Sequence, residues 1–351
     1  MTRTNLGRRG FLFGAAGLGA GAVLVGCTSN EPEGQNNQQP VAGGQGANSE
    51  PGKQVTIGFS APAADHGWMA AVTINAKAMA EQFSDVTLNA TEGTNDVNQQ
   101  IAQVESLING GVDVLAILPF DGKALTQVAR QAMDDGIPVV NVDRVFDTPL
   151  AYRCWIGGDN YRMGVNAGNY IAEELKRQNK NNPVIGEVAG IDSLPLTQER
   201  SQGFKDALQR HGFRVGPRVA AEFTPESGER QTANLLQGAQ KLDALWNHDD
   251  DQGIGVVAAI ENSGRSDFFV VGGAGSRNMM ELIKADSGPV KATVLYSPSM
   301  ASSAIAMARL LGQNKGLEDL AEHEIPAELT TYSAVVTKEN VDNYMDVGFD
   351  S

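Results

Sequence analysis

The sequence predicts an α/β protein built of two doubly wound lobes. Three observations carry that prediction. Short, nearly uninterrupted apolar runs alternate with amphipathic stretches from residue 54 onward, the alternation restarts after Trp155-Ile156-Gly157-Gly158-Asp159, and 351 residues suit two lobes of ordinary domain size. Strands that are apolar throughout belong to parallel sheets covered by helices on both faces.

Ahead of that body stand two segments of another kind. Arg8-Arg9-Gly10-Phe11-Leu12 is a twin-arginine sequence opening an apolar, Gly- and Ala-rich stretch that runs to Val25. The stretch has the length of an export-signal core and is short for a membrane span. It ends in Leu24-Val25-Gly26-Cys27, which resembles the lipobox of bacterial lipoproteins, where the cysteine thiol receives diacylglycerol. Gly7 and Phe13 depart from the Ser or Thr and the Lys usual in twin-arginine signals, so export is expected and its route stays open. Residues 28–53 hold Gln, Asn, Gly, Pro, Ser and Glu with almost no large apolar side chains, a composition expected to form a flexible linker.

The first lobe opens on a β-branched strand at 55–60, followed by a helix at 68–83 and a strand at 86–90. Residues 95–109 read as a helix because Val97, Ile101, Val104 and Ile108 fall on one face. An apolar strand at 112–118 stops at Pro119, Asp121 caps a helix running to Met133, and 138–142 makes the fourth strand. In the second lobe, helices at 160–178, 196–210, 226–240, 251–261 and 276–285 alternate with strands at 183–188, 215–222, 242–247, 268–272 and 291–295. A helix at 299–312 and an extended segment at 332–337 close the ordered part. Ligands of doubly wound sheets sit at the carboxyl ends of the strands, so residues just after each strand are the candidates for a site.

Charge and motifs narrow the function classes. Lysine and arginine number 27 against 42 acidic residues, for a formal net charge of −15, and the charges of the first 27 residues are all arginines, Arg3, Arg8 and Arg9. The body is therefore more acidic still, and a nucleic-acid partner is not expected. His248-Asp249-Asp250-Asp251 lacks the glycine and distal glutamate of a calcium loop. Gly272-Gly273-Ala274-Gly275 lacks both the full dinucleotide fingerprint and a P-loop lysine, and no nucleophile motif occurs. Neither metal, cofactor nor catalysis is expected. Cys154 stands before Trp155 and Ile156 and reads as a buried, inert thiol; with Cys27 lipidated, no disulfide can form within the chain.

Taken in order, the strand ends resemble those of the ribose- and galactose-type periplasmic sugar-binding proteins. The resemblance runs from Gln54 to about Thr337. It rests on Asp65-His66-Gly67-Trp68-Met69, Asp143-Arg144, Gly158-Asp159-Asn160, Gln198-Glu199-Arg200-Ser201-Gln202-Gly203-Phe204, Asn247-His248-Asp249-Asp250-Asp251 and Val270-Val271-Gly272-Gly273. It implies the type I periplasmic binding protein fold, whose chain crosses between lobes three times. Residues 54–157 and 297–328 would form the first lobe, and 158–296 and 329–340 the second. It also implies a monomer that closes by a hinge on a monosaccharide, polyol or similar polyhydroxy ligand and delivers it to an ABC-type permease and its ATPase. With the signal at 1–27 and the lipobox, the expectation is a receptor anchored outside the cell membrane through Cys27.

A sugar presents hydroxyl groups and apolar C–H faces, so its site needs flat aromatics and charged planar groups. The resemblance implies that Trp68 and Phe223 stack on the ring from opposite lobes, and Met69 joins the ligand-binding set. Asp143 and Arg144 offer a carboxylate and a guanidinium to neighbouring hydroxyls, and Arg200 supplies a second guanidinium. Asp249 is a polar strand-end group, while His66 takes the place of an amide. Tyr296 stands where ribose binders carry glutamine, to bond ligand or to pack at the hinge. Asp250 and Asp251 read equally as charges in a helix's first turn. Ala274 departs from the pattern, since relatives commonly carry aspartate there. Either the ligand lacks a group at that point, or it is larger, or another aspartate substitutes. Two rival readings remain. A sugar-responsive repressor of this fold needs a basic helix-turn-helix where this chain has an export signal. A sensor presenting ligand to a signalling receptor would use the same cleft residues.

Overall fold

The computed structural model describes residue 48, residues 50–317 and residues 324–351. The export signal, Cys27 and the linker up to residue 47 lie outside the described residues. In the first lobe, β1 (Val55–Ser60) leads to α1 (Gly67–Glu81), β2 (Val86–Ala90), α2 (Val97–Asn109), β3 (Val114–Ile117), α3 (Gly122–Asp134), β4 (Val139–Val142) and β5 (Cys154–Gly158). The chain then crosses to α4 (Asn160–Arg177), β6 (Ile185–Ala189), α5 (Pro195–Arg210), β7 (Val215–Ala220) and α6 (Pro225–Gly238). It continues through β8 (Ala244–Asn247), α7 (Asp250–Ser263), β9 (Phe269–Ala274), α8 (Arg277–Ala285) and β10 (Val290–Leu295). It returns for α9 (Met300–Gly312) and β11 (Glu328–Thr331), and crosses again for β12 (Val335–Thr337).

The sheets run β2-β1-β3-β4-β5-β11 and β7-β6-β8-β9-β10-β12. Every pairing is parallel except that of β12 with β10. Side chains alternate across each sheet, which is why the strands are apolar throughout. Within β3, Leu115 and Ile117 pack with Val104 of α2 and Leu125 of α3, while Val114 and Ala116 pack in the cluster that holds α1 and α9. Asp96, Asp121, Asp159, Thr224 and Ser276 each accept a backbone N–H of the helix they precede, which fixes where those helices start.

At the amino ends of the first-lobe strands, the end of the linker is clasped. Arg309 on α9 donates from Nε and Nη2 to Asp85, each at 2.6 Å, and from Nη2 to the Glu50 carbonyl at 2.8 Å. Gln313 donates to the Lys53 carbonyl at 2.9 Å and to Asp85 at 2.7 Å. The Arg309 hydrogen bonds hold the Asp85 carboxyl well below the usual carboxylate range.

The end of the chain corrects the expected boundaries. Residues 329–331, expected in the second lobe, belong to β11 and pair with β5 of the first. Its sequence Glu-Leu-Thr-Thr carries one large apolar side chain, so an edge strand of this kind has no apolar run to announce it. The extended segment at 332–337 contains β12, on the other sheet. Order does not stop at residue 340 either. Arg277 donates its backbone N–H to the Phe349 carbonyl at 2.7 Å, and Phe349 is buried.

Candidate binding cleft

One cavity lies between the lobes, and each residue lining it follows the carboxyl end of a strand. His66, Trp68 and Met69 follow β1, and Asp143 and Arg144 follow β4. From the second lobe come Leu196 and Arg200 in α5, Phe223 after β7 and Asp249 after β8, with Tyr296 at the crossing after β10. The space between these residues is about 320 Å³ with its open mouth included. All nine residues singled out in the sequence meet here. Leu196 is the lining residue that strand-end reasoning missed; it lies one helical turn before Arg200 on the same face of α5.

The polar groups form a chain across the cavity. Asp143 holds a left-handed backbone, φ 59°, which turns its side chain over the end of β4. Its Oδ1 accepts the Tyr296 hydroxyl at 2.5 Å, and that hydroxyl accepts from Asn160 Nδ2 at 3.3 Å. Asn160 Oδ1 accepts Arg200 Nε at 2.9 Å. Arg200 also donates from Nη1 to the His248 carbonyl at 3.1 Å, and its guanidinium lies 4.5 Å from the Tyr296 ring centre. Burial, with Asp143 beside it, pushes the Tyr296 hydroxyl far up, so it stays a donor. Arg144 donates from Nη1 to the Phe120 carbonyl at 2.7 Å, but its buried Nε has no partner. Neither arginine is in an ion pair among the described residues. Burial lowers the Arg144 pKa, and the Asp143 carboxylate opposes that shift.

His66 Nδ1 lies 2.5 Å from Asp65 Oδ1. Burial lowers the imidazole pKa, but the bond to Asp65 and the charges of Asp249, Asp65 and Asp251 outweigh it, and the net shift is upward. Burial and the Asp251 carboxylate push Asp249 up to about 7. Asp249 also caps α7, its Oδ1 accepting the Asp251 N–H at 2.9 Å. The apolar walls are Trp68, Met69, Phe223 and Leu196. Trp68 is buried, at 5% exposure, and its indole N–H donates to the Tyr296 carbonyl at 2.8 Å. It is therefore a packed residue and a cavity wall at once.

Ala274 is buried outside the cavity lining, with φ +80° and its carbonyl accepting the Tyr296 N–H at 3.0 Å. The carboxyl that the second lobe brings to the cavity is that of Asp249. Asp250 turns out to be more than a first-turn charge. Its carboxylate accepts the N–H groups of Gly273, Gly275 and Ser276 at 2.8, 2.9 and 2.8 Å and the Thr293 hydroxyl at 2.9 Å. Those bonds hold the turn in which Ala274 keeps its unfavourable φ. Cys154 is buried, and burial pushes its thiol up to about 11.

A family model described as a periplasmic binding protein domain matches residues 57–316. A D-ribose/D-allose-binding protein of Pseudomonas aeruginosa is 29% identical over 262 residues, 73% of this chain and 81% of that one. A ribose import binding protein of Bacillus subtilis is 28% identical over 262 residues, 75% of this chain and 83% of its own. Among solved structures, the binding component of the arabinose ABC transporter from Shewanella sp. ANA-3, bound to α- and β-L-arabinofuranose, is similar with a TM-score of 0.72. Its identity is 25%, covering 83% of this chain and 94% of that one.

Proposed function

Because this chain belongs to the periplasmic binding protein family, in its ribose- and galactose-type sugar-binding branch, we propose that it is a lipid-anchored receptor that closes on one small sugar or polyol and hands it to an ABC-type permease. The observation that carries this reading is the pair of arginines in the cavity. Arg144 has a buried donor without a partner, and among the described residues neither guanidinium meets a carboxylate in an ion pair. Buried donors left unmade cost about 1–3 kcal/mol each, so a ligand rich in hydroxyl acceptors is favoured there. Asp143 adds a carboxylate acceptor beside the two guanidinium donors, a pairing that suits a ligand whose hydroxyl groups both donate and accept. Trp68 and Phe223 offer flat apolar faces to its C–H surface. The relatives that bind ribose, allose and arabinofuranose define the first candidates.

A thermal-shift screen of pentoses, hexoses, polyols and their acids tests the reading. A ligand at a hundred times its Kd adds about 2.7 kcal/mol of stability. A screen in which no compound raises the melting midpoint overturns it. Anchoring rests on Leu24-Val25-Gly26-Cys27. Cys27→Ser is expected to release the exported protein from membranes with ligand affinity unchanged; wild type recovered wholly in the soluble fraction refutes the anchor.

A further inference from the structure

Helix α1 begins without a cap of its own. His66 precedes it in an extended conformation, and no side chain from its own segment accepts the first N–H groups. Those groups are met from the other lobe. Asp251, in the first turn of α7, accepts the Gly67 N–H at 3.1 Å through Oδ1 and the Trp68 N–H at 2.9 Å through Oδ2. Asp251 is buried and does not line the cavity. One carboxylate thus serves the amino ends of two helices on opposite lobes, where the partial positive charges of both favour an anion.

We propose that Asp251 is a positioning residue for ligand capture, capping helix α1 in trans so that only a closed cleft completes the helix carrying Trp68. Trp68 is then held twice from beyond its lobe. Its backbone N–H is bound by Asp251, and its indole N–H is bound by the carbonyl of Tyr296 at the crossing. Closure and the setting of the aromatic wall become one event. The fit also explains Gly67. A Cβ there would lie 2.2 Å from the Asp350 carbonyl oxygen, 2.7 Å from Asp251 Oδ1 and 2.8 Å from Ser351 Cα, so the nearest atoms a side chain at this position would meet are those across the seam.

The ligand arm of the test rests on the receptor reading; a ligand-free arm does not. Hydrogen exchange at the Gly67 and Trp68 amides is followed in the full chain, with and without D-ribose as probe, for wild type, Asp251→Ala and Asp251→Asn. Asp251→Ala is expected to speed exchange at those two amides and to weaken binding about tenfold. Asp251→Asn, which keeps one acceptor oxygen, should fall between. Gly67→Ala supplies the readout that a purely structural role would not move. Alanine favours a helix over glycine, so the melting midpoint of the ligand-free protein should hold or rise while affinity falls at least about tenfold. The inference is overturned if Asp251→Ala and wild type exchange alike in both arms, or if Gly67→Ala binds as wild type does. If D-ribose fails to bind any variant but Asp251→Ala still speeds exchange at the two amides, the trans cap stands and ribose is not the ligand.

Discussion

Arg144 enters the cavity with a buried donor to spare, and its charge alone does not account for that arrangement. A lysine would keep the charge but not the rigid fork of donors. Arg144→Lys is therefore expected to cost about 1.5–3 kcal/mol of binding, tenfold or more in Kd by calorimetry, with the ligand-free melting midpoint nearly unmoved. A lower midpoint with unchanged affinity makes the residue structural. Asp249 carries one share of the pH response, beside the buried carboxyls of Asp250 and Asp251, which burial also pushes up. The folded pKa of Asp249, about 7, exceeds the unfolded value of about 3.9, so between those values the folded chain holds a proton that the unfolded chain has lost. Stability from this group is complete below about pH 4 and is lost as the pH rises through about 7. The raised His66 acts in the same direction, its share lost as pH rises past the ordinary histidine range. Asp249→Asn should flatten the fall in stability between pH 4 and 7, read by denaturant melts; an unchanged profile refutes the assignment. At this scale the sequence was legible wherever a polar residue follows an apolar strand, as at Asp143, Asp249 and Tyr296. It was silent on Asp251, because a carboxylate in a helix's first turn has the same sequence signature whether it serves that helix or one from another lobe.

Helix α5 carries Arg200 and is pressed against α4 with no room between their backbones. A Cβ at Gly164 would meet the Arg200 carbonyl oxygen at 2.0 Å, so Gly164→Ala must push α5 outward and take Arg200 with it. Overpacking of this kind costs about 1–3 kcal/mol, and here affinity should fall together with stability. Gly238, at the end of α6 with no atom within 4 Å of a built Cβ, is the control, and Gly238→Ala should leave both intact. On the far side of the first lobe, α9 carries the clasp. Arg309→Met strands a buried Asp85 and should cost about 3–5 kcal/mol in denaturant unfolding. Because the folded pKa of Asp85 is depressed, its contribution is present above about pH 3.9 and is lost as the pH falls towards the folded value. Elements with an apolar run or a one-faced period, such as β3 and α2, were legible to within two residues at each end. β11 was not, since an edge strand buries little and need not be apolar.

Neither lobe is continuous in sequence. The first sheet receives α9 and β11 only after the chain has built all but one strand of the second. Residues 54–158 expressed alone therefore lack the helix that packs beside α1 over β1, β3, β4 and β5. Such a fragment should bind an apolar dye and digest readily, whereas the whole body, residues 48–351, should do neither; a compact, protease-resistant fragment refutes this. Three crossings also mean that the lobes can rotate about three short strands of chain without losing their internal packing.

The clasp at Asp85 and Arg309 lies at the amino ends of the strands, and the cavity lies at their carboxyl ends. Residues 28–47 separate Cys27 from that clasp and can span at most about 70 Å. On the anchored reading, the receptor is confined to a thin shell beside the membrane, tethered from its back with its mouth free. On the same reading, a permease in that shell would meet it at a higher local concentration than a freely diffusing receptor would reach. Docking can then be too weak to detect between the separated proteins and still be frequent in the cell, and a weak contact releases the emptied receptor quickly.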